Sequence, residues 1–417
     1  MKMLIKNIKA LVQTDDGTHK WVAGTDMAKL PSIENAWLAV EDGLIANYGN
    51  MTDFPGTTDS SDLEVIDASG KYVLPAWCDP HTHTVFAASR EGEFVDRING
   101  LSYGEIAARG GGILNSAEKL RNASKDELFE SALKRLDEMA AHGTGAVEIK
   151  SGYGLSVESE IKMLRVVKRL KEASPLSIKA TLLAAHAIPK EFKDNRSGYI
   201  ELITKDIIPI VKDEGLAEFI DIFCETNYFT PEETATILDA GAAAGLRPKV
   251  HVNQFTAIGG IKVCVDRNAL SVDHLEVMND EDIEVLKGSN TMPTMLPSCS
   301  FFLGIPYSPA RQMMEAGLPV ALATDFNPGS TPSGNMSFVV ALACIKQKMT
   351  PEEAINAATI NAAYAMGLEN ELGSIAIGKR ANLIITKKIS SLDYLPYSFG
   401  ENVIEQTIIN GRTYPAV

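Results

Sequence analysis

The chain has 417 residues, of which 45% are hydrophobic and 22% charged, a length that suits one large domain with a smaller appendage and a balance ordinary for a globular protein. A formal net charge of −15 argues against binding a phosphate backbone, which needs a basic face. An anionic substrate therefore needs a local cation built into its site.

Residues 1–70 read as short strands separated by turns. MLIKNIKALVQ, AWLAVEDGLIANYG and EVIDASGKYVL are alternating or β-rich, punctuated by Asp-Gly and Ser-Gly. From there the chain alternates between apolar strand candidates and amphipathic helices, the pattern of parallel βαβ units. The strands fall near 72–79, 144–150, 177–184, 218–223, 247–252, 269–273, 290–295 and 319–324. Eight is the count that closes a (β/α)8 barrel. Helical patterns include SVESEIKMLRVVKRLKEA, PEETATILDAGAAAG and NDEDIEVLKG. A long excursion, 84–142, separates the first two strands and carries the triple glycine Gly110, Gly111 and Gly112. After the last strand come NPGSTPSG and the helical PEEAINAATINAAYAMG. The far end returns to β texture in GSIAIG, ANLIIT and VIEQTIINGRTY. The expected fold is α/β: a (β/α)8 TIM barrel over 71–369, with a small β-sandwich domain formed from 1–70 and 370–417.

The five cysteines, Cys78, Cys224, Cys264, Cys299 and Cys344, are scattered and odd in number, which fits reduced thiols better than a disulfide framework. No run approaches the ~20 apolar residues of a membrane span, and the N-terminus lacks the apolar core of a signal peptide. A cytoplasmic protein with no membrane or nucleic-acid partner is expected.

In such a barrel the active site lies at the C-terminal ends of the strands. Six of the seven histidines can be placed against the strands. His81 and His83 follow strand one, His186 ends strand three, His251 sits in strand five and His274 ends strand six. Asp325 ends strand eight. His142 falls at the opposite face, and His19 in the N-terminal β region. A single histidine is most often a satisfied polar residue; five of them and an aspartate on one rim are not explained that way. Residues i and i+2 of a strand face the same side, so His81 and His83 can reach one ion. Imidazole and carboxylate suit zinc or iron, and a catalytic site keeps one position open for water.

The run IDASGKYVLPAWCDPHTH resembles the opening motif of the amidohydrolase superfamily, with Ala76 where glycine is usual, and GSIAIGKRANLII resembles its return to the β domain. PHTHTVFAASRE, ARGGGIL, EIKSGYGLS, AAHAIP and ATDFNPGSTP narrow the resemblance to the imidazolonepropionase family. That resemblance implies hydrolytic ring opening of 4-imidazolone-5-propanoate to N-formimidoyl-L-glutamate in histidine degradation, one zinc or iron ion per chain, and a homodimer. It places the metal on His81, His83, His251 and Asp325. The implied substrate contacts are Arg90, Tyr153, His186, Gln254, Asn327, Gly329 and Ser330.

The residues suit that chemistry. Asp325 is a natural proton acceptor and shuttle; His274 can orient the attacking water or stabilise the oxyanion, with His186 as a third catalytic candidate. A guanidinium such as Arg90 binds a propionate carboxylate through two parallel hydrogen bonds. Tyr153 stands between Gly152 and Gly154 in a permissive turn, and NPGS puts Asn327, Gly329 and Ser330 beside the last ligand. Some superfamily members bridge two metals with a carbamylated strand-four lysine. Strand four here ends Phe223-Cys224-Glu225, so a single ion is expected and Lys150 is assigned a supporting role. Ring deaminases of the superfamily carry glutamate where His251-Val252-Asn253-Gln254 ends in an amide, which cannot titrate. A catalytically silent barrel is the other alternative, disfavoured because all four ligands are present.

Overall fold

The computed structural model describes residues 2–57, 62–101, 105–106, 109 and 111–415; Gly110 of the triple glycine lies outside these. The N-terminal strands β1 (Lys2–Val12), β2 (Ser32–Glu41), β3 (Leu44–Asn50), β4 (Leu63–Asp67) and β5 (Tyr72–Pro75) begin a mostly antiparallel sheet. The barrel strands follow: β6 (Trp77–Thr82), β7 (Thr144–Lys150), β8 (Ser177–Ala185), β9 (Phe219–Cys224), β10 (Arg247–Val252), β11 (Ser271–His274), β12 (Met292–Met295) and β13 (Ala321–Leu322). The chain then returns to the first sheet with β14 (Leu383–Thr386), β15 (Ile404–Ile409) and β16 (Arg412–Pro415).

The β6–β13 strands pair in sequence order, all in parallel. The ring is completed where Thr82 bridges Phe326: the Asp325 amide donates to the His81 carbonyl at 3.0 Å and the His83 amide to the Phe326 carbonyl at 2.9 Å. The closing hydrogen bonds thus run through three of the residues expected to hold the metal. The expected strand over 72–79 is two strands. Tyr72–Pro75 pairs with β1 and β14 of the first sheet, and Trp77–Thr82 opens the barrel. The change of partner is made at Ala76, whose amide donates to the Asn382 carbonyl at 2.9 Å, while Trp77 donates to Gly143 at 2.9 Å.

In the first sheet, β1 pairs with β4 through Lys2–Lys6 and with β5 through Ala10–Leu11. Ile5, Leu11, Leu38, Ile45, Val73, Leu383, Ile385 and Ile408 share one buried core, while Ala10, Val12, Leu74, Ile384 and Ile404 face the barrel's core. This is the period-2 alternation of strands covered on both faces.

Helices begin where the sequence caps them. Thr230 and Glu233 form a reciprocal capping box on Pro231–Ala243, and Thr350 and Glu353 do the same for Pro351–Ala358. The excursion between β6 and β7 folds into Glu91–Ile98, Ile113–Asn122 and Lys125–Ala141, and its first half lies over the barrel mouth. Among the described residues no helix is long and apolar enough to cross a membrane.

Candidate metal centre and substrate cavity

His81 and His83 project from the end of β6, and His251 from β10. Their ligand nitrogens lie within 4.8 Å of one another. The Nε2 atoms of His83 and His251 are 3.3 Å apart, and Asp325 Oδ1 is 3.5 Å from Nε2 of both His81 and His83. The far side of two rings is fixed by carboxylates: His81 Nδ1 meets Asp273 Oδ2 at 2.7 Å, and His251 Nδ1 meets Asp221 Oδ2 at 2.9 Å. Those contacts hold each proton on Nδ1 and turn the Nε2 lone pairs inward.

The donor set fits a divalent cation. His81 Nε2 is fully buried and has no hydrogen-bond partner among the described residues, an arrangement that costs free energy unless a ligand meets it. Burial holds the His81, His83 and His251 imidazoles well below the usual histidine range, helped by Lys150 near His81 and His251 and by His186 near His83. They are neutral, as ligands must be. Burial also pushes the Asp325 carboxyl up to about 6, against the pull of His274; a bound cation would draw it down again. Asn253, His274 and Asp325 all have positive φ, at 57°, 88° and 57°. For the histidine this is a sparsely populated conformation of the kind that gathers at functional sites.

A cavity of about 1080 Å³ opens above the cluster. Every expected site residue lines it except His81, which lies beneath, its ring 4.3 Å from that of His251. His186 stacks on His83 with centroids 5.3 Å apart, its Nδ1 lies 3.2 Å from the Gly152 carbonyl, and burial pushes its pKa down to about 4. Tyr153 is buried beside both rings. Gln254 reaches Cys299 Sγ at 3.4 Å. Asn327 spends its amide on its own loop: Nδ2 donates to the Asp325 carbonyl and Ser330 Oγ, both at 2.7 Å, and Oδ1 accepts from the Gly329 and Ser330 amides, both at 2.8 Å. Ser330 Oγ in turn lies 3.3 Å from Asp325 Oδ2. His142 caps the helix before β7, and His19 pairs with Asp15 at the surface; neither lines the cavity.

Several site neighbours were not picked out from the sequence. Glu93 Oε2 accepts from Arg90 Nε at 2.9 Å and from its terminal nitrogen, while Oε1 accepts from the Gly112 amide. Glu276 lies 3.3 Å from His274 Nδ1; burial alone would lower that imidazole's pKa, and Glu276 together with Asp325 and Asp273 raises it above the usual histidine value. Asp221 and Asp273 orient ligands. Their signal was present as single acids at inward strand positions, in the otherwise apolar FIDIFC and in SVDH, where the acid directly precedes His274.

An amidohydrolase family model matches residues 87–414. An imidazolonepropionase of Flavobacterium johnsoniae is 61% identical over 412 residues, covering 99% of this chain and 100% of that protein. The chain belongs to the imidazolonepropionase family. Its imidazolonepropionase relatives in Christiangramia forsetii and a Geobacillus strain are 59% and 41% identical, over 99% and 98% of this chain and 100% and 97% of theirs. The family's fold extends well beyond its sequences. Escherichia coli guanine deaminase superposes with a TM-score of 0.76 at 13% identity, over 99% of this chain and 98% of that one. An adenosine deaminase of Xanthomonas campestris with bound zinc gives 0.71 at 15%, over 99% and 92%.

Proposed function

We propose that this chain opens the ring of 4-imidazolone-5-propanoate with water, giving N-formimidoyl-L-glutamate in histidine degradation. The observation that carries the reading is a single cavity joining a buried His3Asp cluster to Arg90, in a chain 61% identical to a named imidazolonepropionase. His81, His83, His251 and Asp325 hold one zinc or iron ion. When bound, the ion supplies Lewis acidity, bringing the pKa of water from ~15.7 toward ~7.

The remaining chemistry belongs to the side chains. Asp325 faces the cavity and takes the proton as water adds to the ring carbonyl, then delivers it to the departing ring nitrogen when the C–N bond breaks. His274, its Nδ1 engaged by Glu276, turns its other nitrogen to the carbonyl oxygen as negative charge develops there. His186, neutral near pH 7, acts from the opposite side as hydrogen-bond partner of the ring, together with Tyr153 and Gln254. Arg90 takes the propionate carboxylate, and the loop of Asn327, Gly329 and Ser330 closes that end of the cavity. The assembly we infer is a homodimer, on family resemblance.

The reading is tested by incubating purified protein with fresh imidazolonepropionate and following loss of its ultraviolet absorbance, with ammonia release from guanine, cytosine and adenosine measured in parallel. Ring opening without ammonia is expected. Ammonia release without ring opening installs a deaminase; neither activity leaves a silent barrel.

A further inference from the structure

The interior of a (β/α)8 barrel is ordinarily filled by branched apolar side chains. Here the inward positions beneath the metal cluster carry Glu148 and Lys150 on β7, Asp221 on β9, Lys249 on β10 and Asp273 on β11, all essentially inaccessible to solvent. Lys150 is the hub. Its Nζ donates to Glu148 Oε1 and Asp221 Oδ2, both at 2.8 Å, and lies 3.5 Å from Asp273 Oδ2. Asp221 Oδ2 and Asp273 Oδ2 are the very atoms that meet His251 Nδ1 and His81 Nδ1. One ammonium therefore touches both oxygens that orient two ligands. Lys249 is buried in the same layer, but it contacts Glu148, Ser271 and the Ala365 carbonyl instead.

We propose that Lys150 is a positioning residue for the metal centre, cross-linking Asp221 and Asp273 so that His251 and His81 present Nε2 to the ion together. The inference rests on the assignment of His81, His83, His251 and Asp325 as the metal-binding set. Its physical basis is charge balance: backbone amides of Ile222 and His251 anchor Asp221 Oδ1 and the Ser271 hydroxyl anchors Asp273 Oδ1, but the Oδ2 atoms that face the imidazoles share the Lys150 cation, which offsets the repulsion between the two carboxylates. Without the ammonium Asp221 loses a charge-assisted hydrogen bond and Asp273 an ion pair, and a shift of Oδ2 away from the imidazoles is the available relief. The bound ion's own position is then set by rings whose backing has loosened. Packing alone does not call for this arrangement, because a buried ion pair is readily matched in stability by apolar residues of similar volume.

The test is zinc affinity by chelator competition on the full chain, with thermal unfolding of the metal-free proteins alongside. Lys150→Met is expected to bind zinc about 10–100-fold more weakly than wild type, the range seen when groups supporting a metal ligand are removed. Lys249→Met deletes an equal buried charge that reaches Asp273 only through the Ser271 hydroxyl and on its Oδ1 side, away from His81, and is expected to stay within a few-fold of wild type. Lys150→Gln, polar but uncharged, repeats the measurement if the methionine variant does not fold. Wild-type zinc affinity with a lowered melting temperature in Lys150→Met makes the lysine a packing residue and overturns the proposal. Equal losses in Lys150→Met and Lys249→Met overturn it in favour of a general charge effect, and failure of both Lys150 variants to fold also counts against it. A wild-type protein that binds no zinc or iron removes the metal assignment itself, an outcome distinct from these.

Discussion

At the scale of single residues, Arg90 and Gln254 divide substrate recognition between tail and ring. Replacing Arg90 with alanine removes a charge-assisted pair worth on the order of 1.5–3 kcal/mol, or roughly 10–100-fold in kcat/KM, expressed mainly in KM. Steady-state kinetics on Arg90→Ala checks this, and wild-type turnover would move the carboxylate contact to Arg97, which lines the same cavity. Gln254 donates to Cys299 Sγ, so its carbonyl oxygen is the atom left for the ring. Gln254→Glu keeps an acceptor there and is expected to retain ring opening with a new pH dependence. Gln254→Leu is expected to lose far more, since a polar ring edge then meets an apolar wall. Equal activity in the two variants would show that position 254 does not touch the ring. The His81–His83 pair was legible because alternate residues of a strand share a face. Asp221 and Asp273 were not, because an acid at an inward strand position shows its purpose only when the partner histidine is known, on the adjacent strand for Asp221 and across the barrel for Asp273.

Elements read well wherever local chemistry marks their ends. The helix starts at Pro231 and Pro351 follow threonine caps with glutamate three residues on, a signal contained in the sequence itself. The split of the first barrel strand at Ala76 was hidden. Residues 72–78 form an almost unbroken apolar run, and only the hydrogen-bond partners Asn382 and Gly143, distant in sequence, separate its halves. The helical pattern over 351–367 likewise breaks at Thr359, whose hydroxyl meets Gln13 of β1's trailing turn at 2.6 Å, a tertiary contact that no local pattern announces. The loop after β13 makes a sharper claim. A Cβ on Gly329 would lie 2.3 Å from a terminal nitrogen of Arg90, so the glycine makes room for that guanidinium. Gly329→Ala is expected to raise KM in the same direction as Arg90→Ala while leaving the melting temperature within a few degrees of wild type. An unchanged KM would place Arg90 elsewhere during turnover.

For the whole molecule, the barrel's closing seam and its metal set are the same stretch of chain. His81, His83 and Asp325 take part in the hydrogen bonds that join β6 to the segment after β13. The division expected at 70/71 moves to Ala76, because Tyr72–Pro75 pairs in the first sheet: we propose 1–75 with 370–417 for the β unit and 77–369 for the barrel. Alternation of strands and helices made the barrel legible, and the β texture of both ends made the second sheet legible. The charged interior was not, because a sequence shows which residues are polar but not that five of them from four strands meet inside the barrel. The measurement that tests the central claim most directly is a titration of metal-stripped protein with zinc or ferrous iron, following imidazolonepropionate ring opening at each addition. Activity is expected to be absent at the start, to rise in proportion to added metal, and to level off near one equivalent per chain. Full ring opening in the stripped protein, or a rise that continues to two equivalents, would contradict the account.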